Sequence, residues 1–373
     1  MDMLNQRRAI PAALGLCAAL LLSPLAHANN DDSALYRAYN AYEQAVEAGD
    51  LAQIAKEAER TYQIAVSELD ETDPRTPTLA INLGSALENL AKRQVLTERA
   101  ATQAEAFDAY QDALTRLETQ QGEQSEALLD PLLGMAKTAE KPRQARSYYQ
   151  RAIELSEGKP VQQATLQVWA FDQLKWHPET VRSAKAFLSE AVETLQTERP
   201  ENDSIRLEAE FRQAIVLAGE RRQPKAIDEL ERILGHFEGL SFTHPIALGA
   251  HTKLVELYQR IGEPELATAH CQAVGKMTPW QEDQEQVPLY RQNPKFPVNM
   301  ARRGKGGYVI VAFNIDKQGF VSEPEVIESE GGEAFEKASL DALKEWRYAP
   351  RFEAGQPVTA PATVRLDFAL ERP

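Results

Sequence analysis

Between Asp31 and Met277 the apolar residues recur at helical spacing, and one triplet of positions keeps returning. Ala58, Tyr62 and Ala65 stand at i, i+4 and i+7. The same spacing repeats in Ala106/Tyr110/Ala113, Ala145/Tyr149/Ala152, Ala184/Leu188/Ala191, Ala226/Leu230/Ile233 and Ala267/Cys271/Val274. Residues so placed share one helical face, here small, then large, then small or branched. From Ala106 onward the triplets recur every 39, 39, 42 and 41 residues, a period suited to stacked helical hairpins. Pro142, Pro178, Pro224 and Pro264 precede their triplets by two to six residues. Proline is tolerated in the first turn of a helix, where its missing N–H has no intrahelical acceptor to lose. The pattern predicts a helical body over residues 29–277, and its richness in Ala, Leu, Glu, Gln and Arg agrees.

Beyond a link expected over 278–292, which includes the polar run Gln281 to Gln286, the period changes from helical to alternating. Val309, Val311, Phe313 and Ile315 fall on one side of Tyr308, Ile310, Ala312 and Asn314, which predicts a well-buried strand. Asp316-Lys317-Gln318-Gly319 supplies a turn, and Phe320 to Ile327 is expected to return antiparallel. Pro324 has no N–H for a ladder, so that return strand should be an edge or carry a bulge. Glu333 to Trp346 has helical spacing, with Phe335, Ala338, Ala342 and Trp346 in one stripe and Pro350 as its stop. Finally Val364, Leu366, Phe368 and Leu370 alternate with Thr363, Arg365, Asp367 and Ala369, predicting a last strand with one apolar face and a free edge. Residues 293–373 thus read as a small α+β domain, an antiparallel sheet with one helix.

The triplets resemble the second helix of a tetratricopeptide repeat (TPR). Leu254, Tyr258 and Gly262 fit the first helix of the last unit, as do Ala80, Leu83, Gly84 and Leu87 earlier. The period exceeds the family's 34 residues and most first helices lack the expected glycine. The expected fold is therefore mostly α, a degenerate TPR-like α-solenoid followed by the small α+β domain. Small residues at helix contacts are also required by packing alone, so a plain array without a ligand stays open. Such arrays commonly hold an extended peptide or a helix, so an unknown peptide or protein in the helical groove is an expected partner.

At the end of the chain, Pro294-Lys295-Phe296-Pro297, Ala301, Gly304, Gly307-Tyr308-Val309, Phe313-Asn314-Ile315-Asp316, Gly319 and Val321 stand in order. Val326, Ser329, Phe335, Ala338, Leu340, Ala342, Trp346-Arg347-Tyr348, Pro350, Gly355 and Pro357 continue the series. Together they resemble the TonB C-terminal domain. The resemblance implies capture of a short extended segment, the Ton box of an outer-membrane TonB-dependent receptor, by strand addition along Thr363, Val364, Arg365, Leu366, Asp367 and Phe368. By the same resemblance Asn293, Phe296 and Pro297 make a second contact; this chain has Phe296 where the family usually has Tyr, and Asn293 where some members carry Gln. Two plainer readings stay open. Arg365 and Asp367 could simply guard a bare edge, and Phe296-Pro297 could be a rigid lead-in to the first strand.

Arg7 and Arg8, the apolar run Ala9 to Leu22, Pro24 and Ala26-His27-Ala28 have the layout of a secretory signal peptide over residues 1–28, with cleavage expected between Ala28 and Asn29. The expected location is the periplasm. The alternative is an uncleaved anchor in the inner membrane facing that compartment. Only Cys271 then remains, at a helical core position where it serves as a small hydrophobe. Residues 291–373 hold twelve basic and twelve acidic residues, so the net charge of −15 resides in residues 1–290. Such an acidic body disfavours nucleic acid as a partner.

No motif proposes catalysis. The histidines form no HExxH or comparable metal spacing, and His244 and His251, seven apart, read as surface positions. Gly304-Lys305-Gly306-Gly307 lacks the Lys-Ser/Thr ending of a phosphate loop and, with Arg302 and Arg303, reads as a basic turn. No catalytic, cofactor or metal residue is expected. The functional expectation is a non-enzymatic component of TonB-dependent transport, its partners extending to ExbB/ExbD-type inner-membrane proteins if an anchor is retained. The alternative is a soluble periplasmic adaptor that links envelope proteins without energy transduction.

Overall fold

The computed structural model describes residues 33–239, 242–282 and 285–370. The expected leader, its cleavage point at Ala28 and Asn29, and its alternative as an anchor lie outside the described residues. The chain divides into two compact units, with the division after Thr194.

The first unit is helical: α1 (Ala34–Ala48), α2 (Leu51–Glu68), α3 (Arg75–Ala91), α4 (Leu96–Gln121), α5 (Leu129–Thr138), α6 (Pro142–Leu155), α7 (Pro160–Leu174) and α8 (Val181–Glu198), whose last turn belongs to the second unit. From α1 to α7 each helix packs on the next in chain order, and α3 also reaches α5, the stacking of a TPR-like array. Connections are tight because the caps are local. Gly49 closes α1 at φ 73°, and Asp50 next to it caps α2 by accepting from the N–H groups of Ala52 and Gln53.

The expected triplets are the packing faces. Ala106/Tyr110/Ala113 on α4, Ala145/Tyr149/Ala152 on α6 and Ala184/Leu188/Ala191 on α8 are buried. On α2, Ala58 and Ala65 are buried while Tyr62 is only half-buried, its hydroxyl donating to Asp112 at 2.7 Å. Tyr110 shows why small residues recur on first helices. A Cβ on Gly84 of α3 would lie 2.9 Å from its ring, and one on Gly134 of α5 only 2.4 Å away. The ring therefore packs against both glycines.

After the last turn of α8, the second unit continues with α9 (Ser204–Gly219), α10 (Gln223–Gly235), α11 (Pro245–Ile261) and α12 (Pro264–Met277), packed in chain order from α9 to α12. Pro142 and Pro264 start their helices, and Pro224 sits in the first turn of α10. Ala226/Leu230/Ile233 and Ala267/Cys271/Val274 are buried on α10 and α12. Gly262, matched above to a first-helix glycine, is instead the left-handed C-cap of α11 at φ 82°. The close-approach glycine of that helix is Gly249, where a Cβ would meet the Phe211 ring at 2.8 Å.

The α+β part of this unit follows: α13 (Val298–Arg302), β1 (Gly307–Ile315), β2 (Val321–Glu330), α14 (Glu333–Leu343), β3 (Arg351–Glu353), β4 (Gln356–Val358) and β5 (Ala360–Phe368). The main sheet is antiparallel in the order β2-β1-β5, with β3 and β4 as a separate hairpin. Val309, Val311, Phe313 and Ile315 of β1 face inward, onto Phe335 and Leu343 of α14, Trp346, Tyr348, and Val364, Leu366 and Phe368 of β5. Pro324 behaves as its chemistry requires on both counts. The strand β2 is an edge, and its register to β1 shifts between Ala312 and Asn314, opposite Glu323-Pro324. Two expectations are corrected. The helix ends at Leu343, leaving Trp346 buried just beyond it. The last strand is Ala360–Phe368, leaving Leu370 outside it and 39% exposed, because β1 supplies partners only from Gly307 to Ile315. The β3–β4 hairpin was not foreseen.

Candidate partner-binding edge

The edge strand β5 pairs with β1 through nine residues, from Ala360 opposite Ile315 to Phe368 opposite Gly307. In an antiparallel ladder alternate residues turn their N–H and C=O toward the partner strand and the others turn theirs outward. On its far side no described strand pairs with β5, so the outward half of its backbone groups forms a template for another strand. Among the expected site residues, Val364, Leu366 and Phe368 put their side chains into the core, so they can offer a partner only backbone. Thr363, Arg365 and Asp367 point to solvent.

The two charges on β5 are already engaged. Arg365 Nε donates to Asp367 Oδ1 at 2.9 Å, and its guanidinium lies 3.7 Å from the centre of the Tyr308 ring on β1. The Tyr308 hydroxyl donates to Glu328 on β2, and that carboxylate raises the phenol above its ordinary range. A polar chain thus runs across the open face of the sheet from β2 to β5. Both edges hold one proline, Pro361 near the start of β5 and Pro324 within β2, but β2 is otherwise differently made: its register on β1 shifts twice, and it carries Glu323, Glu325, Glu328 and Glu330.

Asn293, Phe296 and Pro297 lie together in a groove of about 520 Å³ against Ala334, Ala338 and Asp341 of α14. Phe296 joins this groove to the sheet: its ring meets Phe335 edge-on at 5.5 Å and Phe368 at 5.9 Å, while Phe335 and Phe368 stack at 4.3 Å. The sequence-derived residues therefore form two places, a strand edge and a groove, with Phe296–Phe368 as the contact between them.

His244 and His251, expected at the surface, are instead partly buried and engaged. His244 caps α11 by accepting from the Ile246 N–H at 3.2 Å and stacks on Phe237. His251 Nδ1 lies 2.8 Å from His270 Nδ1, and His270 Nε2 lies 3.1 Å from Glu231. Burial, then the neighbouring His270, pulls His251 down to about 4; burial also lowers His270, against the pull of Glu231. Three helices meet at this cluster, so no local motif announces it. Among the described residues no group of three or more His, Cys, Asp or Glu is arranged to hold a metal ion.

Comparison with known proteins follows the same division. Residues 292–370 match the family described as the Gram-negative bacterial TonB protein C-terminal. The chain is 28% identical to a protein TonB of Vibrio cholerae over 109 residues, 29% of this chain and 44% of that one. To a protein TonB of Pseudomonas aeruginosa it is 31% identical over 90 residues, 24% of this chain and 26% of that one. A solution NMR structure of the Pseudomonas aeruginosa TonB C-terminal domain is 30% identical and covers 25% of this chain and 93% of that chain, with a TM-score of 0.22. The chain spans less than half the length of the curated relatives it matches. The protein thus carries a TPR-like helical body followed by a domain of the TonB C-terminal type over residues 292–370.

Proposed function

We propose that the C-terminal domain captures an extended segment of an outer-membrane receptor, the Ton box, by strand addition to β5, and that the protein serves TonB-dependent transport from the periplasm. The observation that carries this reading is the contrast between the two sheet edges. The β2 edge is interrupted by two register shifts and carries four glutamates, while β5 keeps an unbroken nine-residue register on β1 and has its own proline, Pro361, only at its second position. Main-chain hydrogen bonds supply affinity in strand addition and alternate side chains supply selectivity. Because Arg365 is held by Asp367 and Tyr308, Thr363 is the outward side chain on β5 with most freedom to meet a guest. Asn293, Phe296 and Pro297 form the second contact.

The test is a series of receptor-derived peptides, N-methylated at alternate residues. Strand addition predicts that methylation in one phase abolishes binding and in the other leaves it within about threefold. Equal tolerance of both phases contradicts it.

A second reading is an adaptor that joins envelope proteins without energy transduction. It draws on the helical body, which has a cleft of about 280 Å³ between α2, α3 and α4, floored by Leu83 and Leu87 and walled by Glu59, Glu105, Asp108 and Asp112. A basic peptide is its natural complement. Coupling to ExbB/ExbD-type proteins belongs to the first reading and requires residues 1–28 to remain as an anchor. Among the described residues no helix is long and apolar enough to cross a membrane. Intact mass of the protein from separated membrane and periplasmic fractions decides this point: a start at Asn29 supports the adaptor, a start at Met1 in the membrane supports the transducer.

A further inference from the structure

Arg347 is fully buried, and its guanidinium fork leaves its own domain. Nη1 donates to the Pro264 carbonyl at 2.9 Å and to Gln259 Oε1 at 3.3 Å; Nη2 donates to Thr268 Oγ1 at 2.9 Å and to the Gln318 carbonyl at 2.9 Å. Three of those four acceptors lie on α11 and α12. The Phe320 ring covers the fork at 3.8 Å. Burial pulls the guanidinium below its ordinary range, but an arginine stays charged in a protein, so these oxygen dipoles replace the water of Nη1 and Nη2, while Nε is buried without a hydrogen-bond acceptor among the described residues.

The surroundings are built to the same fit. A Cβ on Gly275 of α12 would lie 2.4 Å from the Pro350 carbonyl oxygen, and one on Gly319 only 2.2 Å from that of Tyr348 and 3.1 Å from Cys271. Gln272 of α12 donates to the Lys317 carbonyl at 3.1 Å, and Lys276 lies over the Phe352 ring. The stretch expected as a linker takes part. Tyr290 pairs with Arg347 through backbone bonds of 3.0 and 3.2 Å, and Leu289 N–H donates to the Arg347 carbonyl at 2.7 Å.

We propose that the helical pair α11–α12 and the C-terminal domain act as one rigid body latched by Arg347, so that the β5 edge is presented at a fixed orientation to α11–α12 and does not swing on a linker at 278–292. Tyr348 and the 316–320 turn face this latch, whereas among the described strands β5 pairs with β1 alone, so latching and capture by β5 use different parts of the domain. The docking rests on these contacts alone; only its consequence for a captured strand rests on the reading of β5.

The test is a distance distribution between spin labels at Leu266→Cys and Thr363→Cys in the full chain carrying Cys17→Ser. Both labelled positions are exposed, and buried Cys271, its thiol pushed up to about 11, stays unlabelled. A latched body gives one narrow distribution. Arg347→Ala at least doubles its width, and Arg347→Lys, which keeps charge but not the fork, falls between. Should Arg347→Ala fail to fold, the pair Gln259→Ala/Thr268→Val removes two acceptors and produces the same broadening. A broad distribution in the unaltered chain, or a narrow one in the folded variants, overturns the proposal. No peptide enters this measurement, so its failure is separate from any failure of strand addition.

Discussion

Gly134→Ala tests whether the recurring triplet is a set of interhelical sockets. Alanine in place of glycine inside a helix gains about 1 kcal/mol from backbone propensity alone. Here the new methyl would stand 2.4–2.5 Å from three atoms of the Tyr110 ring, the same three that a Cβ on Gly84 would meet at 2.9 Å. The ring is buried, so the overpacking cost belongs at the top of the usual range, about 3 kcal/mol, and the net effect is a loss of about 2 kcal/mol. Tyr110→Ala by itself empties a site that is 4% exposed and removes the hydroxyl contact to Glu88, costing about 3–5 kcal/mol. In that background the clash is gone, so Gly134→Ala should stabilise by about 1 kcal/mol. The two substitutions are therefore coupled by about 3 kcal/mol, the upper end for contacting residues. Hydrogen exchange of core amides in α4 and α5 reads the local opening free energy of all four proteins in the cycle. An unchanged sign and size of the Gly134→Ala effect in the Tyr110→Ala background would refute the socket.

Acid should loosen the second unit through the histidine pair. The depressed His251 means that the unfolded chain binds the proton more readily, so its contribution is complete above about 6.5 and is lost as pH falls toward about 4. Thermal melts over that window should show a falling midpoint, and His251→Gln should flatten the slope. At the start of β1, Gly307→Ala would put a methyl 1.9 Å from the Glu330 carbonyl oxygen, with Phe335 next to it. The expected cost is about 1–3 kcal/mol, read as lost exchange protection at the β1–β2 end of the sheet while α1 to α7 keep theirs. Asp50→Ala removes two N-terminal hydrogen bonds from α2 and should cost about 1 kcal/mol by urea unfolding.

Periodicity was legible because it is a local property of the chain. The triplets marked the second helix of each pair, and the alternation in 308–315 and 364–368 marked the two strands that share the core. Contacts between elements were less so. Gly134 and Gly249 pack against Tyr110 and Phe211, one on the preceding helix and one two helices earlier, and nothing around a helical glycine names the ring it admits. Short elements also escaped: β3 and β4 have three residues each, and the sign of their hairpin was Ala354-Gly355, with φ of 48° and 78°. Arg347 reads as an ordinary member of the Trp-Arg-Tyr run, since its burial depends on α11 and α12, some eighty residues away. For the candidate edge, alternation gave the inward and outward residues of β5. That Arg365 is committed to Tyr308 and Asp367 required the register of β5 on β1, which pairs Asp367 with Tyr308.

The most direct test of the central claim is an amide chemical-shift and exchange map of the isotope-labelled chain titrated with a receptor-derived Ton box peptide. Capture at the β5 edge predicts new protection at alternate amides within 362–368, a smaller response at Asn293 and Phe296, and none along β2. A response confined to the groove against α14 or to the helical body, with the β5 amides unchanged, would contradict it.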